Sequence, residues 1–209
     1  MPKLKPETLA ARRTEILEAA EICFARDGFH KTTIQDVIAE SGLSAGCIYG
    51  HFRDKEELIE AISARRHSRD AELLTTPREG LNPLESLRAI ALAFLDDMQT
   101  PSGMRARRIG VELWAEALRN DSIRAQVTDG VNVPLESIEH LIRRAQRASL
   151  VDKKIDARAL ARTIVALFQG SVLQRVWGEP FDSRAMIKIF DALLDGLMPR
   201  LPSRINRSP

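Results

Sequence analysis

Residues 32–55 read TTIQDVIAESGLSAGCIYGHFRDK, and this stretch decides the fold. Thr33 stands three residues ahead of Asp36, the spacing of a capping box with Asp in place of the usual Glu, so a helix starts at Thr33. Gly42 ends that helix, where a sharp turn needs positive φ. Ser44 caps a second short helix that finishes before Phe52, and Asp54-Lys55-Glu56-Glu57 repeats the capping pattern at the head of another. Val37, Ile38, Leu43 and Ile48 supply the contacts that hold the two short helices at an angle, with Ala39 small where the second must pass close. Two such helices across a tight turn form a helix-turn-helix, whose second helix enters the major groove of DNA.

The second helix suits that role. Ser44, Ala45, Gly46 and Cys47 are small, so its tip can approach a duplex closely, and its free N–H groups favour phosphate oxygens. Tyr49 and His51 offer polar tips, and Lys55 brings a cation to the first turn of the following helix. With Thr32 and Thr33 at the opening of the first helix, these residues are the candidate DNA contacts. Each has a plainer reading: Thr33 and Ser44 as caps alone, Tyr49 as a half-buried core residue, His51 and Lys55 as solvated surface groups. The combination at these spacings favours the DNA reading.

Working outward, Ile16-Leu17-Glu18-Ala19-Ala20, Phe24 and Gly28 precede the motif, and Lys55-Glu56-Glu57-Leu58 follows it. Together with Thr33, Ile38-Ala39, Gly42-Leu43-Ser44 and Gly46-Cys47-Ile48-Tyr49-Gly50-His51-Phe52, this resembles the TetR family of bacterial transcriptional regulators over about residues 10–60. The resemblance implies that Thr33, Ser44, Ala45, Gly46, Tyr49, His51 and Lys55 lie at or near DNA. Two positions depart from the family pattern. Gly50 stands where many members carry a large residue, at a cost of ~1 kcal/mol in helix propensity. Cys47 replaces a Thr or Asn, as a space-filler or as a thiol sensor at a helix tip.

Composition sets the class. The chain has 209 residues, 44% apolar and 29% charged, as in folded soluble domains. Its longest apolar run, residues 89–95, is far short of the ~20 needed to cross a bilayer, and no secretory signal follows Met1, so no membrane partner is expected. Cys23 and Cys47 form no CxxC or Cys/His cluster, which excludes a disulfide scaffold and a zinc finger and fits a cytoplasmic protein. No metal, cofactor or catalytic residue is expected; His30, His51, His67 and His140 are scattered, and no catalytic motif appears. Residues 1–55 carry eight basic and eight acidic side chains, so DNA binding must depend on where charges sit. Lys31 and Lys55 lie close to the docking helices, and Lys3, Lys5, Arg12 and Arg13 form a candidate N-terminal arm.

The periodicity is helical nearly throughout, predicting an all-α fold of about nine helices. The first runs from about 7 to 27 with Gly28 just beyond its end, and the later ones over about 83–99, 103–119, 121–148, 155–177 and 182–198, with Pro134 expected to kink or interrupt the third of these. Residues 7–55 form a three-helix DNA-binding domain, 56–200 a larger effector-binding and dimerisation domain joined through the fourth helix, and 201–209 a flexible tail. In the last two helices Leu160, Ile164, Leu167, Ser171, Phe190, Leu194 and Leu197 are the candidate dimer face, since helices apolar on most sides must be buried on most sides. The plainer reading places them in the monomer core.

Family resemblance implies an effector cavity between the fifth and eighth helices, with Phe94, Met98, Arg108, Trp114, Leu118, Leu141, Phe168, Gln169 and Val172 as candidate lining. Arg105, Arg107 and Arg108 read as a solvated cluster, with an anion site for an acidic effector as the alternative. The rear segment is also similar to that of the choline–betaine pathway repressors in the family. The function implied is a homodimeric, ligand-responsive repressor on a palindromic operator, its two recognition helices about 34–36 Å apart. The alternatives are a small helical enzyme or carrier, and an interaction module without specific DNA binding, the latter motivated by Gly50 and the neutral front segment.

Overall fold

The computed structural model describes residues 6–75, 80–180 and 182–197. Nine helices, and no strand, form among them: α1 (Pro6–Lys31), α2 (Ile34–Ser41), α3 (Ala45–His51), α4 (Lys55–Thr75), α5 (Pro83–Asp97), α6 (Pro101–Glu116), α7 (Asp121–Arg147), α8 (Ala157–Val176) and α9 (Ser183–Asp195). The all-α expectation and the helix order hold. Lys3, Lys5 and the 201–209 tail lie outside the described residues.

The chain divides into two compact units, one drawn from Met1–Glu72 with Asp97–Val131, the other from Leu73–Asp96 with Asn132–Pro209. The first unit is built on α1. Ile16, Ala20, Cys23 and Phe24 recur at helical spacing and are buried with Val37 of α2, Ile48 of α3, Leu58 and Ile62 of α4, and Ile109 and Leu113 of α6. Fully burying each such side chain contributes ~1.5–3 kcal/mol, so this shared core fixes the short helices, which could not hold together alone.

α1 continues four residues past its expected end, broken at Gly28 (φ +79°). The break turns the Phe29 N–H toward the Glu112 carboxylate of α6 at 3.2 Å and lets Phe29 meet the Phe24 ring edge-on at 4.9 Å. A second departure is Arg107, expected in a solvated cluster but only 1% exposed. It donates to Asp70 of α4 at 2.8 Å and to Asp97 at 2.9 Å, because α6 packs tightly enough that a Cβ on Gly110 would lie 2.7 Å from the Arg66 guanidinium. Buried charge is tolerated there because it is paired.

In the second unit, Leu84, Leu87 and Ala91 of α5 pack with Leu135, Ile138 and Ile142 of α7, Ala161 and Ile164 of α8, and Phe190 and Leu194 of α9. Arg88 joins α5 to α9 through Asp191 at 2.6 Å and Asp195 at 3.0 Å. Helix α7 runs unbroken through Pro134, contrary to the expected interruption; the residue sits on a buried face.

Candidate nucleic-acid interface

The helix-turn-helix forms as its local chemistry dictates. Thr33 Oγ1 accepts from Asp36 N at 3.3 Å and Thr33 N donates to the Asp36 carboxylate at 2.7 Å, the reciprocal pair of a capping box. The Thr33 N–H, and then the Thr33 hydroxyl, which also donates to that carboxylate at 2.7 Å, hold the Asp36 carboxyl below its usual range. Gly42 closes α2 at φ +66° with its N–H on the Ile38 carbonyl. Ser44 Oγ then accepts from Cys47 N at 3.3 Å to open α3, and Ile48, fully buried, anchors that helix to the core. Ala39 does not serve the helix crossing: it is exposed.

Anchored through Ile48, α3 turns its small tip outward. Ser44, Ala45 and Gly46 are exposed, Cys47 is half-buried, and Tyr49 is 51% exposed, so Tyr49 is not a core residue. His51, the last residue of α3, is half-buried, and Thr33 is exposed beside the tip of α2. A Cβ at Gly46 or Gly50 would meet nothing within 4 Å, so that face of α3 is open.

Two candidate contacts have other duties. Thr32 is 1% exposed, and its hydroxyl donates to the carbonyls of Gly28 at 2.8 Å and Cys23 at 3.3 Å; it closes the end of α1 and its hydroxyl is not presented to DNA. Lys55 is half-buried, and its ammonium donates to the carbonyls of Phe29 and Thr32, satisfying the C-terminal end of α1. Of the expected arm, Arg12 pairs with Glu15 at 2.6 Å and Arg13 lies over the Phe52 ring at 5.0 Å. The sequence does not signal the cation–π contact, since the spacing from Arg13 to Phe52 carries no periodicity.

The other candidate sets separate. Ile164, Ser171, Phe190 and Leu194, expected at a dimer face, are buried in the second unit, because α8 and α9 turn those positions toward α5 and α7. Leu160 and Leu197 are half-buried and packed against that core. Leu167 alone of the set is exposed, beside Met186, Ile189 (62% exposed) and Leu193 (51% exposed). These line a wholly apolar groove of about 60 Å³ with Phe168 and Phe190. Among the candidate pocket residues, Phe94 and Phe168 meet with ring centroids 5.0 Å apart. Leu141 and Gln169 are half-buried, and Val172 is buried. Met98, Arg108, Trp114 and Leu118 belong to the first unit; there Met98 is fully buried, Trp114 half-buried and Arg108 exposed. Leu118 is 82% exposed: it follows the end of α6, past the turn that faces the core.

Among the described residues, no group of three or more His, Cys, Asp or Glu is placed to hold a metal ion, and no helix is long and apolar enough to cross a membrane.

A helix-turn-helix presented by an all-helical chain defines a DNA-binding regulator. Residues 16–62 match the model of the bacterial regulatory proteins of the tetR family, and residues 83–199 match that of the BetI-type transcriptional repressor C-terminal domain. The chain belongs to the TetR family of transcriptional regulators. It is 27% identical over 158 residues to the HTH-type transcriptional regulator UidR of Escherichia coli, covering 76% of this chain and 78% of UidR. It is 27% identical over 177 residues to TtgR of Pseudomonas putida, covering 82% and 83%. The solved structure of GusR from Salmonella enterica superposes with a TM-score of 0.74 at 26% identity, covering 94% of this chain and 98% of GusR. The family, UidR and TtgR are transcriptional regulators, not enzymes, which removes the enzyme alternative.

Proposed function

We propose that the protein is a homodimeric, ligand-responsive repressor that acts in the cytoplasm on a palindromic operator. Residues 7–55 dock on the DNA, and residues 56–200 hold the effector and the partner subunit, with α4 linking the two roles. The observation that carries the reading is the outward tip of α3. Ser44, Ala45, Gly46 and Tyr49 are exposed on a helix whose opposite side is pinned by buried Ile48. Thr33, Cys47 and His51 flank that tip, and phosphate oxygens suit its hydroxyl, imidazole and backbone N–H groups.

One such helix reads only a few base pairs, so two copies are needed. The exposed Leu167, Met186, Ile189 and Leu193 of α8 and α9 support a twofold pairing, because an apolar patch of this kind marks a protein contact. The likeness to BetI-type repressor domains supports repression. Phe94 and Phe168, in ring contact at 5.0 Å in the second unit, are the residues we assign to an apolar part of the effector. The effector need prefer the released state by only ~1–3 kcal/mol to act as a switch.

Sedimentation combined with gel retardation of the DNA flanking the coding region tests the reading. The wild type sediments as a dimer and retains one duplex specifically. The double variant Ile189→Glu, Leu193→Glu stays helical, becomes monomeric and loses retention. A wild type that is monomeric at every concentration, or a monomeric variant that binds as tightly as the dimer, contradicts it.

A further inference from the structure

We propose that the first unit carries a binding site for a small oxyanion of the phosphate class, held between α1, α4 and α6 and separate from the α3 surface. Arg65, Arg66 and Arg69 of α4 line a cavity of about 80 Å³, with Glu21 of α1 on one side and Ile62 and Ile109 as its apolar wall. That volume is several times the ~10–15 Å³ that one water needs, so a tetrahedral ion has room.

The donors are only partly consumed. Arg65 Nη2 reaches Glu18 at 3.2 Å and Nε lies 3.7 Å from Glu21, but Nη1 is buried with no hydrogen-bond partner among the described residues. Arg66 is nine-tenths buried and holds Asp70 at 3.2 Å and the Ala106 carbonyl at 3.2 Å. Arg69 reaches Asp97 at 2.5 Å while its side chain stays 40% exposed. Each of the three guanidinium groups thus already holds a carboxylate, and the free donor among them is Arg65 Nη1. Burial pushes the Glu21 carboxyl up, against the opposing pull of Arg65. A buried orphan donor calls for a partner, and guanidinium forks match the oxygens of phosphate in geometry and charge. A bound oxyanion would complete Arg65 and draw α1, which carries the motif's core, onto α4.

The test is calorimetric titration of the full chain with inorganic phosphate at constant ionic strength, with glycerol 3-phosphate as a second probe. Saturable binding is expected, tightest for the free ion if that is the source and for the ester if the phosphate is carried by a metabolite. Arg65→Gln weakens it about tenfold, the loss of one charged hydrogen bond. Glu21→Gln, which removes the lining carboxylate, tightens it, an effect of opposite sign that a purely structural role would not give. Should Arg65→Gln fail to fold, Glu21→Gln decides. No saturable binding of either probe, or binding unchanged by both substitutions, overturns the proposal.

Discussion

The ammonium of Lys55, at the first residue of α4, donates to the backbone carbonyl of Phe29, near the end of α1, at 3.0 Å. It reaches the Thr32 carbonyl as well, at 3.3 Å, and so ties the chain after the helix-turn-helix back to the helix before it. Lys55→Ala should therefore cost about 1–2 kcal/mol in urea unfolding, as a charged donor is lost to buried carbonyls. Any loss of operator affinity should come through positioning. The slope of log K against log salt should then stay as in the wild type, and a slope shallower by about 0.9 per subunit would instead show a phosphate contact.

The Thr33–Asp36 box makes the start of α2 sensitive to acid. Thr33→Ala should cost about 1 kcal/mol, the usual worth of an N-cap. The Asp36 carboxyl is depressed by the Thr33 backbone N–H and then by its hydroxyl. A depressed carboxyl contributes stability that is present above its unfolded value, near pH 4, and is lost as pH falls through the lower folded value. Asp36→Asn should thus be less stable than wild type at neutral pH, with the difference closing in acid. Denaturation followed at both pH values checks the sign.

His67 of α4 lies against Gly130 of α7, where an added Cβ would fall 2.1 Å from the ring carbon Cδ2. Gly130→Ala should destabilise by about 1–3 kcal/mol by overpacking. Burial, and then Arg66, lower the His67 pKa against the opposing pull of Asp70 and Asp129. The unfolded chain binds this proton more readily, so the stability it contributes is full above about pH 6.5 and falls as pH drops through the folded value. Replacing His67 with Gln should flatten that part of the stability–pH curve; an unchanged curve would assign it to other groups.

Arg107 holds Asp70 and Asp97 in the interior of the first unit. Arg107→Met removes the shared cation and leaves both carboxylates less compensated, with an expected loss of about 3–5 kcal/mol. Thermal melts of the variant measure it. A neutral result would mean that Arg66 and Arg69, which also reach these carboxylates, compensate fully.

Local chemistry explains what the sequence made legible. Caps and the Gly42 turn are set within four residues, so α2, α3 and the open face of α3 follow from residues 32–55 alone. Burial within a helix apolar on most sides is decided by partners distant in the chain. Periodicity could not separate Phe190 and Leu194, turned to the core, from Ile189 and Leu193, turned out. Long cations were harder still: neither Arg107, buried on two aspartates, nor Lys55, spent on carbonyls, differs in sequence from a solvated residue.

The most direct measurement is fluorescence anisotropy of a labelled duplex from the DNA flanking the coding region, titrated with wild type and with Tyr49→Ala at equal folded stability. Tyr49 is exposed on α3, so its removal leaves the core intact. The account predicts two chains per palindromic duplex, preference over scrambled DNA, and a loss of about tenfold or more in the variant. Equal binding of every duplex, or a variant indistinguishable from wild type, would contradict it.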